Sequence, residues 1–400
     1  MTMLSRMPGL RRLLLVMTFS VSTSACAATT ASQTNWAEAM TYSEMQRHPE
    51  AWRAEEATEP KWNYTQGLNL LAMSKLYERN GDANILAYIK AYADTLIDEK
   101  GEIKGYRMDK YNIDMINAGK ILFFLYEQTK DPRYTHAMHI MREQLAGQPR
   151  TSEGGFWHKK IYPFQMWLDG LYMGTPFYTE YAQWFSEGSE TFDDIANQFA
   201  ILERHAKDPK TGLLYHGWDE SKQMAWADPV TGNSPNFWGR SLGWYGMALV
   251  DVLEYFPKGH SRRTELESYL QSFAKAVVKV QDKSGLWYQV PNFPERKGNY
   301  LEGSASAMLT YTLAKGARLG VLGEQYHQAA LKGFDGMLGQ MIKVDSNGQT
   351  NITQVCAVAG LGGNPYRDGS YDYYINEKMR DNDPKAVGPF ILASIELQAF

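Results

Sequence analysis

One turn recurs along this chain and constrains its fold more than anything else in the sequence. Gly101-Glu102-Ile103, Gly154-Gly155-Phe156-Trp157-His158, Gly212-Leu213-Leu214-Tyr215-His216 and Gly285-Leu286-Trp287-Tyr288-Gln289 each follow an amphipathic helical stretch. Asn347-Gly348-Gln349 is a weaker fifth case. Each glycine is placed to be the left-handed residue just past a helix C-terminus. Between the turns apolar residues fall at helical spacing, as in Leu68, Leu71, Ala72 and Leu76, or Ile121, Phe124 and Leu125. Strict strand alternation is scarce and short. Apolar helices following the turns start near Leu68, Asn117, Phe177, Ser241, Ser304 and Val387. Intervals of about 50 to 85 residues fit one helix pair plus loops, at ~10–14 residues per helix. Repetition on that scale marks a repeat architecture. Six hairpins predict an all-α fold, an (α/α)6 barrel with inner and outer helices alternating; an open helical solenoid is the alternative. Pro389-Phe390-Ile391-Leu392-Ala393 is as apolar as a core helix, which speaks against a solenoid cap.

Composition removes several function classes. Charged residues make up 22% of 400 residues and hydrophobic ones 44%, which describes a globular chain. A net charge of −4 provides no basic footprint, so nucleic acid is not an expected partner. Two cysteines permit no disulfide framework and no Cys/His zinc cluster. His136 and His139 share a helix face but lack a third ligand nearby, so no metal is expected. Gly360-Leu361-Gly362-Gly363-Asn364 has no following Lys-Ser/Thr and is no phosphate loop, and no Gly-x-Ser-x-Gly elbow occurs. What stands out is the aromatic content, 13% of the chain.

Residues 1–27 read as a secretory signal. Arg6, Arg11 and Arg12 precede the apolar run Leu13 to Val21, and small residues follow to Ala28. The run is too short to span a bilayer. Cleavage after Ala27 leaves Cys356 as the only thiol. Acylation of Cys26, as in bacterial lipoproteins, is the second reading, although Thr23 stands where an aliphatic residue is usual. Residues 28–400 then form a single barrel domain, periplasmic or outer-membrane-associated if the source is bacterial.

Chemistry-bearing residues crowd the linkers. In Gln165-Met166-Trp167-Leu168-Asp169-Gly170-Leu171-Tyr172, Asp169 sits among large apolar side chains. Poor solvation favours the neutral acid form of a carboxyl, which is what a general acid needs. The alternative is an N-cap for the helix that follows. Asp114 lies at another helix entry, and paired carboxylates are the raw material of glycoside chemistry. In Trp238-Gly239-Arg240-Ser241-Leu242-Gly243-Trp244, Arg240 is placed to clamp a carboxylate while the indoles stack on a sugar, and the glycines admit close backbone approach. A structural arginine sandwiched between tryptophans is the alternative. His158 and His216, each closing a Gly-aromatic turn, are polar candidates for the same cavity.

These runs, together with Gly303-Ser304-Ala305-Ser306-Ala307-Met308 and Gly388-Pro389-Phe390-Ile391, resemble family 105 of the glycoside hydrolases, the unsaturated rhamnogalacturonyl hydrolases. Family 88, the unsaturated glucuronyl hydrolases, is the near neighbour. The resemblance implies an (α/α)6 barrel and a hydrolase that removes a 4,5-unsaturated uronic acid from the non-reducing end of lyase-generated oligosaccharides. It implies Asp169 and Asp114 as the catalytic carboxylates. His158, Trp167, His216, Trp238, Arg240 and Trp244 match positions lining the sugar subsite, and no cofactor is implied. Rival classes are a sugar epimerase on the same barrel, expected to use histidine pairs, and a non-catalytic saccharide binder. Preference for the next sugar is expected in the loops 292–300 and 355–372.

Overall fold

A computed structural model describes residues 34–398; residues 1–27, expected to be a signal, and Cys26 lie outside the described residues. The described residues from Asn35 onward form one compact unit. Fourteen helices are found among the described residues: α1 (Trp36–Arg47), α2 (Tyr64–Asn80), α3 (Ala83–Leu96), α4 (Asp114–Asn117), α5 (Lys120–Thr129), α6 (Pro132–Gly147), α7 (Leu168–Trp184) and α8 (Ser189–His205), followed by α9 (Gly239–Tyr255), α10 (Arg263–Lys279), α11 (Gly303–Arg318), α12 (Glu324–Gln340), α13 (Tyr371–Asn376) and α14 (Pro384–Leu397). Two short antiparallel pairs accompany them, β1 (Gln165–Trp167) with β2 (Gly217–Asp219) and β3 (Ile342–Val344) with β4 (Thr350–Ile352).

Helices sort into two rings by what their sequences can bury. In α9 and α11 nearly every residue is buried, polar ones included. By contrast α10 buries one stripe, Leu266, Leu270, Phe273, Ala274 and Val277, and is wet on its other face. The inner ring runs α2, α4–α5, α7, α9, α11, α14, and α14 packs back on α2. That last contact closes the ring and decides for the barrel over the solenoid. The outer helices α3, α6, α8, α10 and α12 each pack against the inner helix before them, and α1 covers α14.

Two expectations need correction. The recurrent glycines do have positive φ (92° at Gly154, 91° at Gly285), but none ends a helix. In α3 the C-cap is Ile97, four residues before Gly101. Each glycine instead turns a small hairpin laid after an outer helix, as where Gly285 N donates to Asp282 O and Asp282 N to Leu286 O. Secondly, α7 starts at Leu168 rather than near Phe177, because Pro176 lies inside a continuous helix and does not open one.

The inner ring also buries an unmatched cation. Lys120 on α5 has no hydrogen-bond partner for Nζ, which lies 3.7 Å from the ring centre of Tyr172. Burial pushes its ammonium down to about 7, against the pull of Asp251 and Glu180. The folded chain therefore binds fewer protons than the unfolded chain between about pH 7 and the ordinary 10.5, and stability rises with pH across that window. Below it the full penalty is present. Lys120→Met is expected to raise the unfolding free energy by about 1–4 kcal/mol at about pH 6. The gain should shrink toward about pH 10; melting curves at the two pH values check both.

Candidate active site

The hairpins that follow outer helices deliver side chains to the barrel mouth in a fixed register. His158, His216 and Gln289 each stand four residues beyond a turn glycine, at Gly154, Gly212 and Gly285, and all three are buried. The β1–β2 pair sets Trp167 opposite Gly217, so Trp167 stands between the two histidines. Its indole stacks on His158 (ring centres 4.5 Å apart, planes 15° apart) and meets His216 edge-on at 5.6 Å. Tyr162 covers it at 5.0 Å. Inner helices enter at the same end, bringing Asp114 on α4, Asp169 on α7, Arg240 on α9 and Ser304 on α11, all within their first turns.

The two carboxylates have different company. Asp114 Oδ1 is 3.1 Å from His158 Nε2, and its Oδ2 is 2.6 Å from Lys159 Nζ. Burial would raise this carboxyl, but Lys159 and then His158 outweigh it and hold Asp114 far below the usual carboxylate range. The same pairing offsets burial at Lys159 and raises its ammonium. Asp169 has one close imidazole neighbour: its Oδ2 lies 3.1 Å from His216 Nε2, too poorly aligned for a hydrogen bond, so both atoms are buried without a partner. Nor does Asp169 cap its helix. Trp167 holds the N-cap position, and Asp169 sits inside the first turn. Gly170 follows because a Cβ there would come 2.9 Å from His158 Nδ1.

On α9 the expectation divides. Arg240 lies beneath Trp238, with Cζ 4.8 Å from the ring centre, but Trp244 does not sandwich it. Instead Trp244 is core, stacked on Tyr172 at 4.9 Å and edge-on to Tyr64 at 6.4 Å. Arg240 Nη1 donates to the Cys356 carbonyl and, at 3.3 Å, to Ser304 Oγ, while Nε has no partner. Burial works against its charge; Cys356, Glu302 and Asp383 overcome that and keep the guanidinium firmly protonated. The glycines of α9 serve helix packing rather than a ligand. A Cβ on Gly243 would meet Met308 at 2.6 Å, and one on Gly246 would meet Thr312 at 2.7 Å, both on α11.

Three residues that the sequence did not single out belong here. Lys159 directly follows the Gly154–His158 turn but pairs with Asp114 only through the fold. Gln289 receives Trp238 Nε1–H at 3.0 Å and donates to Tyr374 O at 2.9 Å; its offset from Gly285, equal to that of the two histidines, was the available signal. Tyr374 on α13 reaches His216 Nδ1 with its hydroxyl at 2.7 Å, across 158 residues of chain, and no local pattern announces it. Among the described residues no three His, Cys, Asp or Glu side chains gather to hold a metal, and His136 and His139 turn separately to Glu102 and Tyr181.

The model of Glycosyl Hydrolase Family 88 matches residues 36–400. The chain belongs to that family. Within it, the hydrolase is 45% identical to a solved glycoside hydrolase of family 105 from C. acetobutylicum, covering 91% of this chain and 99% of that one at a TM-score of 0.87. Protein Atu3128 of Agrobacterium fabrum is 39% identical over 230 residues, 56% of this chain and 97% of that protein. A third relative, the unsaturated rhamnogalacturonyl hydrolase YesR of Bacillus subtilis, is 26% identical over 264 residues, 64% of this chain and 72% of YesR. The helical barrel of the hydrolase is thus the family fold, and the expected resemblance to families 105 and 88 holds.

Proposed function

We propose that the hydrolase hydrates the double bond of a 4,5-unsaturated galacturonyl residue at the non-reducing end of a lyase product, with rhamnose as the sugar released. The observation that carries this is the division between the carboxylates. Lys159 and His158 keep Asp114 ionised, which leaves Asp169 as the mouth carboxyl able to start the reaction as an acid. Asp169 gives its proton to C4 of the vinyl ether, and positive charge develops at C5 and the ring oxygen. The resulting carboxylate takes a proton from a water that adds at C5. The hemiketal opens and the next sugar leaves. One carboxyl serves first as acid and then as base. Asp114 holds ring hydroxyls or the water, Arg240 and His158 provide donor groups for an anionic ring, and His216 acts through Asp169. Trp167, enclosed by His158 and Tyr162, and Trp238, enclosed by Arg240 and Tyr374, brace the polar groups that meet the sugar.

The likeness to YesR supports galacturonyl-rhamnose as the substrate class, and the family 88 match keeps an unsaturated glucuronyl substrate in the test. A panel of lyase-generated unsaturated disaccharides, followed by loss of the vinyl absorbance, separates them. Fastest loss with the galacturonyl-rhamnose disaccharide is expected; no loss with any member would overturn the reading. In the same assay Gly170→Ala is expected to lower kcat roughly 10- to 100-fold, by pushing His158 off Asp114. Export by residues 1–27, with Cys26 either removed or acylated, belongs to the same proposal; N-terminal sequencing of the mature chain tests it.

A further inference from the structure

We propose that Tyr374 is a positioning residue that fixes His216 as its Nε2–H tautomer, so that Asp169 is held by Oδ2 and carries its catalytic proton on Oδ1. This rests on the function proposed above and adds a residue to it from α13, outside the inner ring.

The contacts leave one consistent arrangement of protons. His216 and Tyr374 are both fully buried. The imidazole has two polar neighbours, the Tyr374 hydroxyl at 2.7 Å from Nδ1 and Asp169 Oδ2 at 3.1 Å from Nε2. Among the described residues His216 Nδ1 is the one hydrogen-bond partner of that hydroxyl. Burial, with Tyr373 and Asp169 nearby, holds the phenol well above its ordinary range, so it keeps its proton. Were the imidazole proton on Nδ1, the tyrosine would have to accept it, and its own O–H would be buried without an acceptor. The bare Nε2 would then face the carboxylate oxygen lone pair to lone pair. With the proton on Nε2, Tyr374 donates to Nδ1 and Nε2–H points at Asp169 Oδ2. The tyrosine hydroxyl is then matched, and the Nε2–H stands 3.1 Å from the oxygen it would bond.

The tyrosine is itself fixed on two further sides. Its ring stacks on Trp238 (5.8 Å, 15°), and its carbonyl accepts from Gln289 Nε2, whose Oε1 in turn holds the Trp238 indole. A small movement on substrate binding suffices to align the Nε2–H with Oδ2, as catalytic hydrogen bonds commonly tighten in the complex. In the proton balance, Oδ1–H goes to C4 of the sugar, negative charge appears on the carboxylate, and His216 Nε2–H meets it at Oδ2 without giving up its own proton.

The test uses the full chain with 15N-labelled histidine. Eight histidines are present, and the His216 signals are those lost in His216→Gln. Nitrogen shifts are expected to show Nε2 protonated and Nδ1 bare in the unsubstituted protein, and a population with Nδ1–H in Tyr374→Phe. That variant keeps the stacked ring and the bond from Gln289. Its kcat on the unsaturated disaccharide is expected to fall by about 10- to 100-fold with KM within about twofold, part of the ~10²–10⁴ that positioned proton transfer contributes. A proton on Nδ1 in the unsubstituted protein overturns the proposal, even if the variant fails to fold. So does a fall in kcat without a tautomer change, or a tautomer change without a fall in kcat. If the unsubstituted protein consumes none of the disaccharides, the proposed function has failed, and the nitrogen shifts still decide the tautomer.

Discussion

Asp169→Asn is expected to lower kcat by at least ~10²–10⁴-fold, because a single substitution removes both the acid and the base of the proposed cycle. The amide is nearly isosteric, and the side chain it replaces makes one close polar approach, the loose one to His216, so the fold should keep its melting temperature. Asparagine has no acidic proton to give C4 and no basic oxygen for the water. Binding should survive, since Arg240 and the Asp114–Lys159 pair are untouched; KM is expected within about threefold, as for a residue that acts mainly in the transition state. The measurement is the rate of loss of vinyl absorbance, and retention of the normal rate would remove Asp169 from its role.

Glu302→Ala is expected to be the most destabilising change near the mouth, by about 3–5 kcal/mol. Glu302 is fully buried at the N-cap of α11 and accepts four hydrogen bonds: Ser304 N at 3.1 Å, Ser304 Oγ at 2.7 Å, Ala305 N at 2.7 Å and Cys356 N at 2.8 Å. The Ser304 hydroxyl also receives Arg240, so the serine joins a buried anion to a buried cation. Removing the carboxylate takes away one of the groups that sustain the buried Arg240 charge and uncaps an inner helix. Glu302→Gln keeps two acceptor sites on its oxygen but loses the charge, and should fall between. Chemical denaturation of the three proteins checks the order. Equal stability of Glu302→Ala and the unsubstituted protein would show that Arg240 needs no counter-charge.

Legibility in the sequence followed the range of the interaction. Hairpin number and the positions of the turn glycines are local, set by helical spacing and by backbone that needs positive φ, and the sequence displays them. The glycines' exact job was misjudged, because a helix C-terminus and a hairpin turn ask for the same left-handed residue. Asp169, His158 and Trp167 lie within 12 residues of one another, so their common motif was visible. Ring closure was only inferred, since the contact of α14 with α2 joins the two ends of the chain. Tyr374 was invisible for the same reason. Trp244 was read as part of the subsite because of the tryptophan pair flanking Arg240; on a helix the four-residue step from Arg240 runs down the barrel, placing Trp244 one turn deeper against Tyr172.

The sixth hairpin is not continuous in the chain: α1 and α14 form it from opposite ends, tied by Trp36 N–H to Gln398 Oε1 across 362 residues. Before α14 docks, the barrel is therefore a cylinder still slit along one side. In that state the apolar flanks of α2 and α11 have no cover, and the folding chain is most exposed to self-association. Closure joins the most distant segments of the sequence and should be the slow event in folding. Because α14 enters between α2 and α11, the same event that seals the slit completes the mouth.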